Sequence, residues 1–331
     1  MLFRSTLGVP AEPIDARDIV ITSEESDFLR VDFEETRNRC QKLTKMTQAG
    51  AVPVVTGFIC STPGGVTTTL GRGGSDYSAS IIGSCIKAEE IQIWTDVNGV
   101  MTADPRIVPG ARVLERVSYK EAAEMSYFGA KVLHPQTIMP AVDENIPIRI
   151  KNTFAPDVAG TLITADTPAH QYSVKTVTSI TGMTLVSVEG RGMIGVPGVA
   201  GRVFTTTARN RISVMMFSQG SSEQHISLVV SRHDGEQTVK ALRREFEGEI
   251  ERRRIDRVAL ISEIAIIALV GEGIKGAPGV AARAFGTLGA ASMNILMIAQ
   301  GSSELNLSIV VREKDGPRAV QLLHEAFELG V

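Results

Sequence analysis

The run Thr67-Thr68-Thr69-Leu70-Gly71-Arg72-Gly73-Gly74-Ser75-Asp76 holds the residue types that an anion site needs. Glycines let the backbone approach a ligand closely, and the free N–H groups at a helix start favour negative charge. Arg72 adds a planar positive fork suited to phosphate or carboxylate. A second glycine loop, Ser61-Thr62-Pro63-Gly64-Gly65, lies just upstream. The pattern is not a P-loop, which needs Gly-Lys-Ser/Thr. On residue types alone it reads as an anion-binding loop opening a helix, with a purely structural turn as the alternative.

A second segment, Trp94-Thr95-Asp96-Val97-Asn98-Gly99-Val100-Met101-Thr102-Ala103-Asp104-Pro105-Arg106, reads as a buried strand ending in a polar loop. Ligands of open α/β sheets bind beyond the carboxyl ends of strands. Asp96 and Asp104 are equally the residues that ordinary turns use. Two loops that follow strands and carry Arg72 and Arg106 point together to a polyphosphate. The third segment, Phe128-Gly129-Ala130-Lys131-Val132-Leu133-His134-Pro135, sets one lysine between two helices, where a solvated side chain would also fit.

The elements that must position these loops alternate. A helix over 33–49 stops at Gly50, a strand follows over 52–59, a helix over 75–85 and a strand over 91–95. Ser118-Tyr119-Lys120-Glu121 is a capping box that opens another helix, and a strand over 146–151 closes the region. Such alternation argues for a mostly parallel sheet covered by helices. The stretch 164–170 reads as a linker.

Beyond it the chain repeats itself. Gly190, Gly192, Gly195, Pro197, Gly198 and Val199 recur 81 residues later as Gly271, Gly273, Gly276, Pro278, Gly279 and Val280, and Gln219-Gly220-Ser221-Ser222-Glu223 recurs as Gln300-Gly301-Ser302-Ser303-Glu304. Each copy carries strand, glycine-proline loop, helix, strand, turn, strand and amphipathic helix, a β-α-β-β-α order of ferredoxin-like type. Gln219 and Gln300 sit at equivalent strand ends, where an amide can meet the amino or carboxylate group of a small ligand. The Gly195-Val196-Pro197-Gly198 loop offers backbone N–H groups beside it. The other reading is a glutamine that satisfies its own turn.

Composition narrows the classes. The net charge of −3 comes with no Lys/Arg stripe, so a nucleic-acid partner is not expected. The longest apolar run, 264–270, is strand-sized, so neither a membrane span nor a secretion signal is expected and the location expected is cytoplasmic. Cys40, Cys60 and Cys85 lack C-x-x-C spacing and read as reduced thiols. No metal-ligand cluster is evident. His134 reads as structural, His170 and His324 as surface residues, and none has a nucleophile partner. The Met215-Met216 pair, Met293 and Met297 read as core.

Thr-Thr-Leu-Gly-Arg-Gly-Gly-Ser-Asp, Trp-Thr-Asp-Val-x-Gly-Val-x-Thr-Ala-Asp-Pro-Arg and Phe-Gly-Ala-Lys-Val-Leu-His-Pro, in that order, closely resemble the aspartate kinase family. The repeats resemble that family's ACT domains, most of all those of threonine-sensitive members such as the kinase part of bifunctional aspartate kinase–homoserine dehydrogenases. The resemblance implies an α/β chain: the C-terminal, nucleotide-binding part of an amino-acid-kinase domain over 1–165, then ferredoxin-like ACT domains over 173–260 and 261–331.

It implies transfer of the γ-phosphoryl of ATP, with Mg²⁺, to the β-carboxylate of L-aspartate, the first step toward lysine, threonine and methionine. Arg72 and Ser75 would stand where aspartate meets ATP, and Asp76 would organise the transferring phosphate. Thr95 and Asp96 would contact the nucleotide, and Arg106 and Lys131 would neutralise its phosphates. Met101 stands where relatives usually carry tyrosine. Gly195, Pro197, Gly198, Gln219, Asn294 and Gln300 would face an effector, threonine or lysine, and the ACT domains would join a homodimer or tetramer. The family's Lys-Phe-Gly-Gly-Thr-Ser loop, whose lysine stabilises the phosphoryl group in flight, does not appear in these residues. Poor catalysis by the chain alone is therefore expected, and a regulatory subunit or an inactive truncated kinase is the alternative.

Overall fold

The computed structural model describes residues 8–23, 30–71, 73–129, 133, 135–165, 173–220 and 222–330. The chain forms two units, Met1–Val100 with Val113–Ala169, and Met101–Arg112 with His170–Val331.

In order, the first unit holds β1 (Ala11–Ile14), β2 (Thr22–Ser23), β3 (Arg30–Val31), α1 (Phe33–Gln48), β4 (Val52–Val55), β5 (Ile59–Ser61), β6 (Thr67–Thr69) and α2 (Gly74–Ile86). It continues with β7 (Ile91–Thr95), β8 (Arg116–Ser118), α3 (Tyr119–Tyr127), α4 (Pro135–Asp143), β9 (Ile148–Asn152) and β10 (Thr161–Thr164). Strands β1 and β4 pair in parallel, and a four-stranded sheet runs β7-β9-β10-β8 with only the β9–β10 pair antiparallel. The Asp32 carboxylate accepts from the Glu35 N–H at 3.0 Å and caps α1. Helix α1 buries Thr36, Cys40 and Leu43 at helical spacing, and Cys40 and Leu43 share a core with Ile81 and Cys85 of α2. The capping box forms as read: Ser118 Oγ accepts from the Glu121 N–H, and the Glu121 carboxylate accepts from the Ser118 N–H.

Two local readings are corrected. The strand expected over 52–59 is two strands, because Phe58 takes a left-handed backbone (φ 75°) and gives its N–H to Ser78 Oγ at 2.9 Å. Strand β7 is buried on one face only: Ile91 and Ile93 are covered while Trp94 is exposed beneath the Lys151 ammonium, 5.0 Å from its ring centre.

The second unit holds β11 (Thr176–Glu189), α5 (Val199–Arg209), β12 (Val214–Gln219), β13 (His225–Ser231), α6 (Gly235–Glu245), α7 (Glu247–Glu251), β14 (Arg257–Val270), α8 (Val280–Ala290), β15 (Met297–Ala299), β16 (Asn306–Arg312) and α9 (Gly316–Ala326). One six-stranded sheet runs β12-β13-β11-β14-β16-β15. Its centre is an exchange between the repeats. Residues 185–189 of β11 pair with β13 on one side and with residues 257–261 of β14 on the other, completing the first repeat. Residues 176–180 pair with 266–270 of β14, which pair in turn with β16 and complete the second. The cores follow: Ile255 and Val258 lie in the first repeat's core, and Val174 and Val177 in the second's.

The register of β11 shifts between Ile180 and Leu185, and the edge strands β12 and β15 come into contact. The face away from the helices is therefore enclosed, and Met216, Val229, Ile266, Met297 and Val310 are buried on it. Met216 and Met297 thus pack in the core, as read from their strands.

Residues 101–112 lie across the second repeat. Ala103 joins its core, with Ile107, Val108 and Ala111 packed against it. The Thr102 carbonyl accepts from the Val177 N–H at 2.9 Å, and Gln321 donates to the Ile107 carbonyl at 2.8 Å. This cover corrects the reading of His324 as a surface residue: it is 4% exposed, with Nε2 2.9 Å from Thr102 Oγ1. Burial, and then the charge of Arg112, hold its pKa below the ordinary imidazole value. Cys40, Cys60 and Cys85 are buried and free, and burial pushes the Cys60 thiol up. No helix among the described residues is long and apolar enough to cross a membrane.

Two stability predictions follow from this packing. A β-carbon on Gly160 (φ 76°) would lie 1.9 Å from the Ile150 carbonyl oxygen, so Gly160→Ala should cost the first unit more than about 3 kcal/mol in denaturant unfolding. Because His324 is depressed from 6.5, the unfolded chain takes up its proton first as pH falls, and stability is lost from about pH 6.5 downward. Denaturant midpoints at pH 7 and pH 5.5 should therefore differ less in His324→Gln than in the parent.

Candidate functional site

The glycine loop folds as an uncapped helix start. Gly71 (φ 76°) and Gly73 (φ 70°) take left-handed backbone, and Gly73 caps α2 with no side-chain hydrogen bond. A β-carbon on Gly74 would lie 2.7 Å from the Phe58 ring, so only glycine lets the helix begin there. Gly74 gives its N–H to the Gly71 carbonyl at 3.1 Å, and no side chain caps the amides that follow it at the positive end of the dipole of this 13-residue helix. Ser75 is exposed on this turn and Asp76 is half-buried. Burial raises the Asp76 pKa, and among the described residues no cation pairs with it. Arg72 and Lys131 lie outside the described residues.

Thr95 ends β7 and donates to Asp96 Oδ1 at 3.1 Å, leaving Asp96 exposed. The loop behind it is tightly built. A β-carbon on Gly99 would lie 2.4 Å from Thr161 Oγ1, which itself accepts from the Val100 N–H at 2.8 Å and donates to the Leu114 carbonyl at 2.7 Å. Asn152 donates to Asn98 Oδ1 at 2.7 Å. Gly99 and Val100 therefore shape the loop that presents Thr95 and Asp96.

The same motif then passes into the second unit with Met101. The Met101 carbonyl accepts from Thr176 Oγ1 at 3.0 Å. Arg106 is forked onto the Asp104 carboxylate at 2.6 Å, with its side chain 82% exposed. Among the expected nucleotide residues, then, Ser75 with Asp76 and Thr95 with Asp96 belong to one unit, and Met101 with Arg106 to the other. No group of three or more His, Cys, Asp or Glu side chains among the described residues could hold a metal ion.

The expected effector residues gather in the second unit. A cavity of about 510 Å³ is lined by Gly276, Pro278, Gly279, Gln300, Ser302 and Glu304 among others. Gly279 (φ 89°) is the uncapped start of α8, as Gly198 (φ 89°) is of α5 in the first repeat. Gln219, Gly195 and Pro197 occupy the corresponding places there and are exposed. Asn294 is exposed and is not part of the cavity wall. Two residues that the sequence reading passed over are Glu223 and Glu304. Glu223 Oε2 accepts from the Gly195 N–H and Glu304 Oε2 from the Gly276 N–H, both at 2.8 Å. The signal available was their common spacing from those glycines. By contrast Gly190, Gly192 and Gly271 of the repeat are structural, since a β-carbon on any of them would lie within 2.7 Å of backbone.

Residues 3–152 match the amino acid kinase family, and residues 186–246 and 267–327 each match the ACT domain. The chain is 38% identical over 329 residues to the chloroplastic bifunctional aspartokinase/homoserine dehydrogenase 2 of Arabidopsis thaliana, covering 97% of this chain and 36% of that protein. It thus spans about a third of the length of the bifunctional relatives it matches. Aspartokinase III of E. coli in complex with aspartate and ADP superposes with a TM-score of 0.79 at 31% identity, over 98% of this chain and 71% of that one. The same enzyme with lysine and aspartate gives 0.78 at 31% identity, over 98% and 71%. A mixed α/β chain with an amino-acid-kinase region, two ACT repeats and this degree of likeness belongs to the aspartate kinase family.

Proposed function

We propose that this protein phosphorylates the β-carboxylate of L-aspartate with ATP, giving 4-phospho-L-aspartate on the route to lysine, threonine and methionine, and that threonine or lysine regulates it through the ACT repeats. The observation that carries the reading is the half-buried Asp76 in the first turn of a helix whose glycine N-cap makes no side-chain hydrogen bond. Phosphoryl transfer asks a protein mainly to position two anions and to stabilise charge. The α2 amides with Ser75 and Arg72 would hold the anionic groups, and Asp76 would orient the transferring phosphate. Thr95 and Asp96 would take the nucleotide, with Met101 packed on it and Arg106 and Lys131 on its phosphates. The complex of E. coli aspartokinase III with aspartate and ADP supports aspartate and a nucleotide as the two ligands.

The described residues make no protein cage for a metal, which suits Mg²⁺, an ion that keeps waters and arrives on phosphates with one or two carboxylates such as Asp76. When bound it would neutralise phosphate charge. Assembly into a homodimer or tetramer through the ACT repeats belongs to the same proposal, supported by Phe217 and Ile298, exposed on the edge strands. A regulatory role without catalysis is the second reading, favoured by the cavity, which is lined by second-unit residues alone.

Coupled ADP release with ATP, Mg²⁺ and L-aspartate tests the two. Aspartate-dependent release, however slow, is expected, and Asp76→Asn should reduce it by about a hundredfold. No release together with calorimetric binding of threonine or lysine would assign the regulatory role. Because the Asp76 pKa is raised, its ionised form costs stability above its unfolded pKa. The thermal midpoint of Asp76→Asn at pH 7 should accordingly be no lower than the parent's; a fall would show that Asp76 is a structural residue.

A further inference from the structure

We infer that Glu223 and Glu304 are built-in competitors, each filling with its own carboxylate the backbone amide that an effector's carboxylate must take. The inference rests on reading the ACT repeats as amino-acid sites, and it assigns the regulation of those sites.

Each glutamate ends a turn closed by its own N–H, donated to Gly220 O at 2.8 Å in the first repeat and to Gly301 O at 3.0 Å in the second. Each sits in left-handed backbone, φ 56° at Glu223 and 53° at Glu304. Side chains are disfavoured there, and glycine is the usual occupant. Both repeats nonetheless carry glutamate at that position, so the side chain has a use that offsets the backbone cost. That use is visible: an Oε2 lies 2.8 Å from the N–H of Gly195 in one repeat and of Gly276 in the other, a charge-assisted bond. The accepting glycines are themselves left-handed, φ 65° and 67°, with open space where a β-carbon would stand. In the second repeat the pair forms part of the wall of the 510 Å³ cavity, with Gln300, Ser302 and the Gly279 helix start around it.

An α-amino acid brings the same functional group to the same wall. Its carboxylate can bond the Gly276 N–H only when Glu304 releases it, and likewise at Gly195 and Glu223. Such a site has two arrangements, glutamate in or glutamate out, and ligand selects the second. Apparent affinity is lowered by the fraction of molecules in which the amide is occupied.

The test is isothermal titration of the full chain with L-threonine and L-lysine, in the parent and in Glu223→Gln, Glu304→Gln and Glu304→Asp. A neutral or shortened side chain is a weaker competitor, so each variant should bind the recognised amino acid about three- to tenfold more tightly. The backbone amide proton of Gly276 should move upfield in both Glu304 variants before any ligand is added, as the charge-assisted bond weakens, and return downfield when the ligand's carboxylate takes its place. A purely structural glutamate would alter the thermal midpoint without that tightening. Weaker binding by the Glu304 variants would overturn the inference and make the carboxylate a partner of the effector's ammonium. No binding in parent or variants would sink the reading of the repeats as amino-acid sites, and with it the basis of the inference.

Discussion

The antiparallel pairing of β11 with β14 is the constraint on which the second unit depends. Each strand is 14 residues long, and each serves one repeat with one half and the other repeat with the other half. Neither core closes without the exchange, since Ile255 and Val258 seal the first repeat while Val174 and Val177 seal the second. Backbone hydrogen bonds lost in the middle of this ladder would expose apolar residues of both cores at once. The repeats are thus joined by shared strands rather than by a linker, and a change of curvature at the Ile180–Leu185 irregularity must be felt on both sides.

Much of this unit is legible in the sequence because its signals are local. The 81-residue recurrence, the helix starts after Gly198 and Gly279, and the Ser118 capping box are each written in a few neighbouring residues. The exchange is not, because alternation along a strand says which face is buried but not which partner lies alongside. His324 shows the same limit. Its place on the buried stripe of α9, with Ala319, Val320 and Leu323, becomes meaningful only once residues 101–112 are seen to cover that stripe. Glu223 and Glu304 escaped notice because a glutamate in a polar turn reads as a solvated residue, and the amide each bonds is 28 positions away.

The glycine loop is legible for the opposite reason: its geometry is carried by backbone. Gly71 and Gly73 supply left-handed turns, and Gly74 supplies room beneath Phe58, so the residue types that permit the geometry are also those that name it. Asp76 then acquires its character from position. It lies in the first turn of α2, where the dipole favours an anion, yet burial is the stronger influence and raises its pKa. A carboxylate held in that balance is sensitive to any cation or phosphate placed beside it.

The segment 101–112 shows how one motif answers to two demands. Its first half, through Val100, is shaped by Thr161 and Leu114 and presents Thr95 and Asp96. Its second half is shaped by the second repeat: Thr102 is bound by Val177, Arg112 and His324, and Ala103, Ile107 and Val108 face the core beneath. Arg106 stands exposed at the centre of this stretch, with Asp104 fixing its fork. The chain therefore leaves the first unit at Val100 and re-enters it at Val113, with a cation in between whose backbone is fastened to the α9 side of the second repeat. A rearrangement of that core cannot leave the backbone of residues 101–112 untouched, because the hydrogen bonds of Thr102 and Ile107 and the apolar contacts of Ala103 would have to break or move with it. Arg106 is bonded directly to Ile107, which packs against that core, so any link between the repeat and this arginine needs no chain of intermediates across the protein.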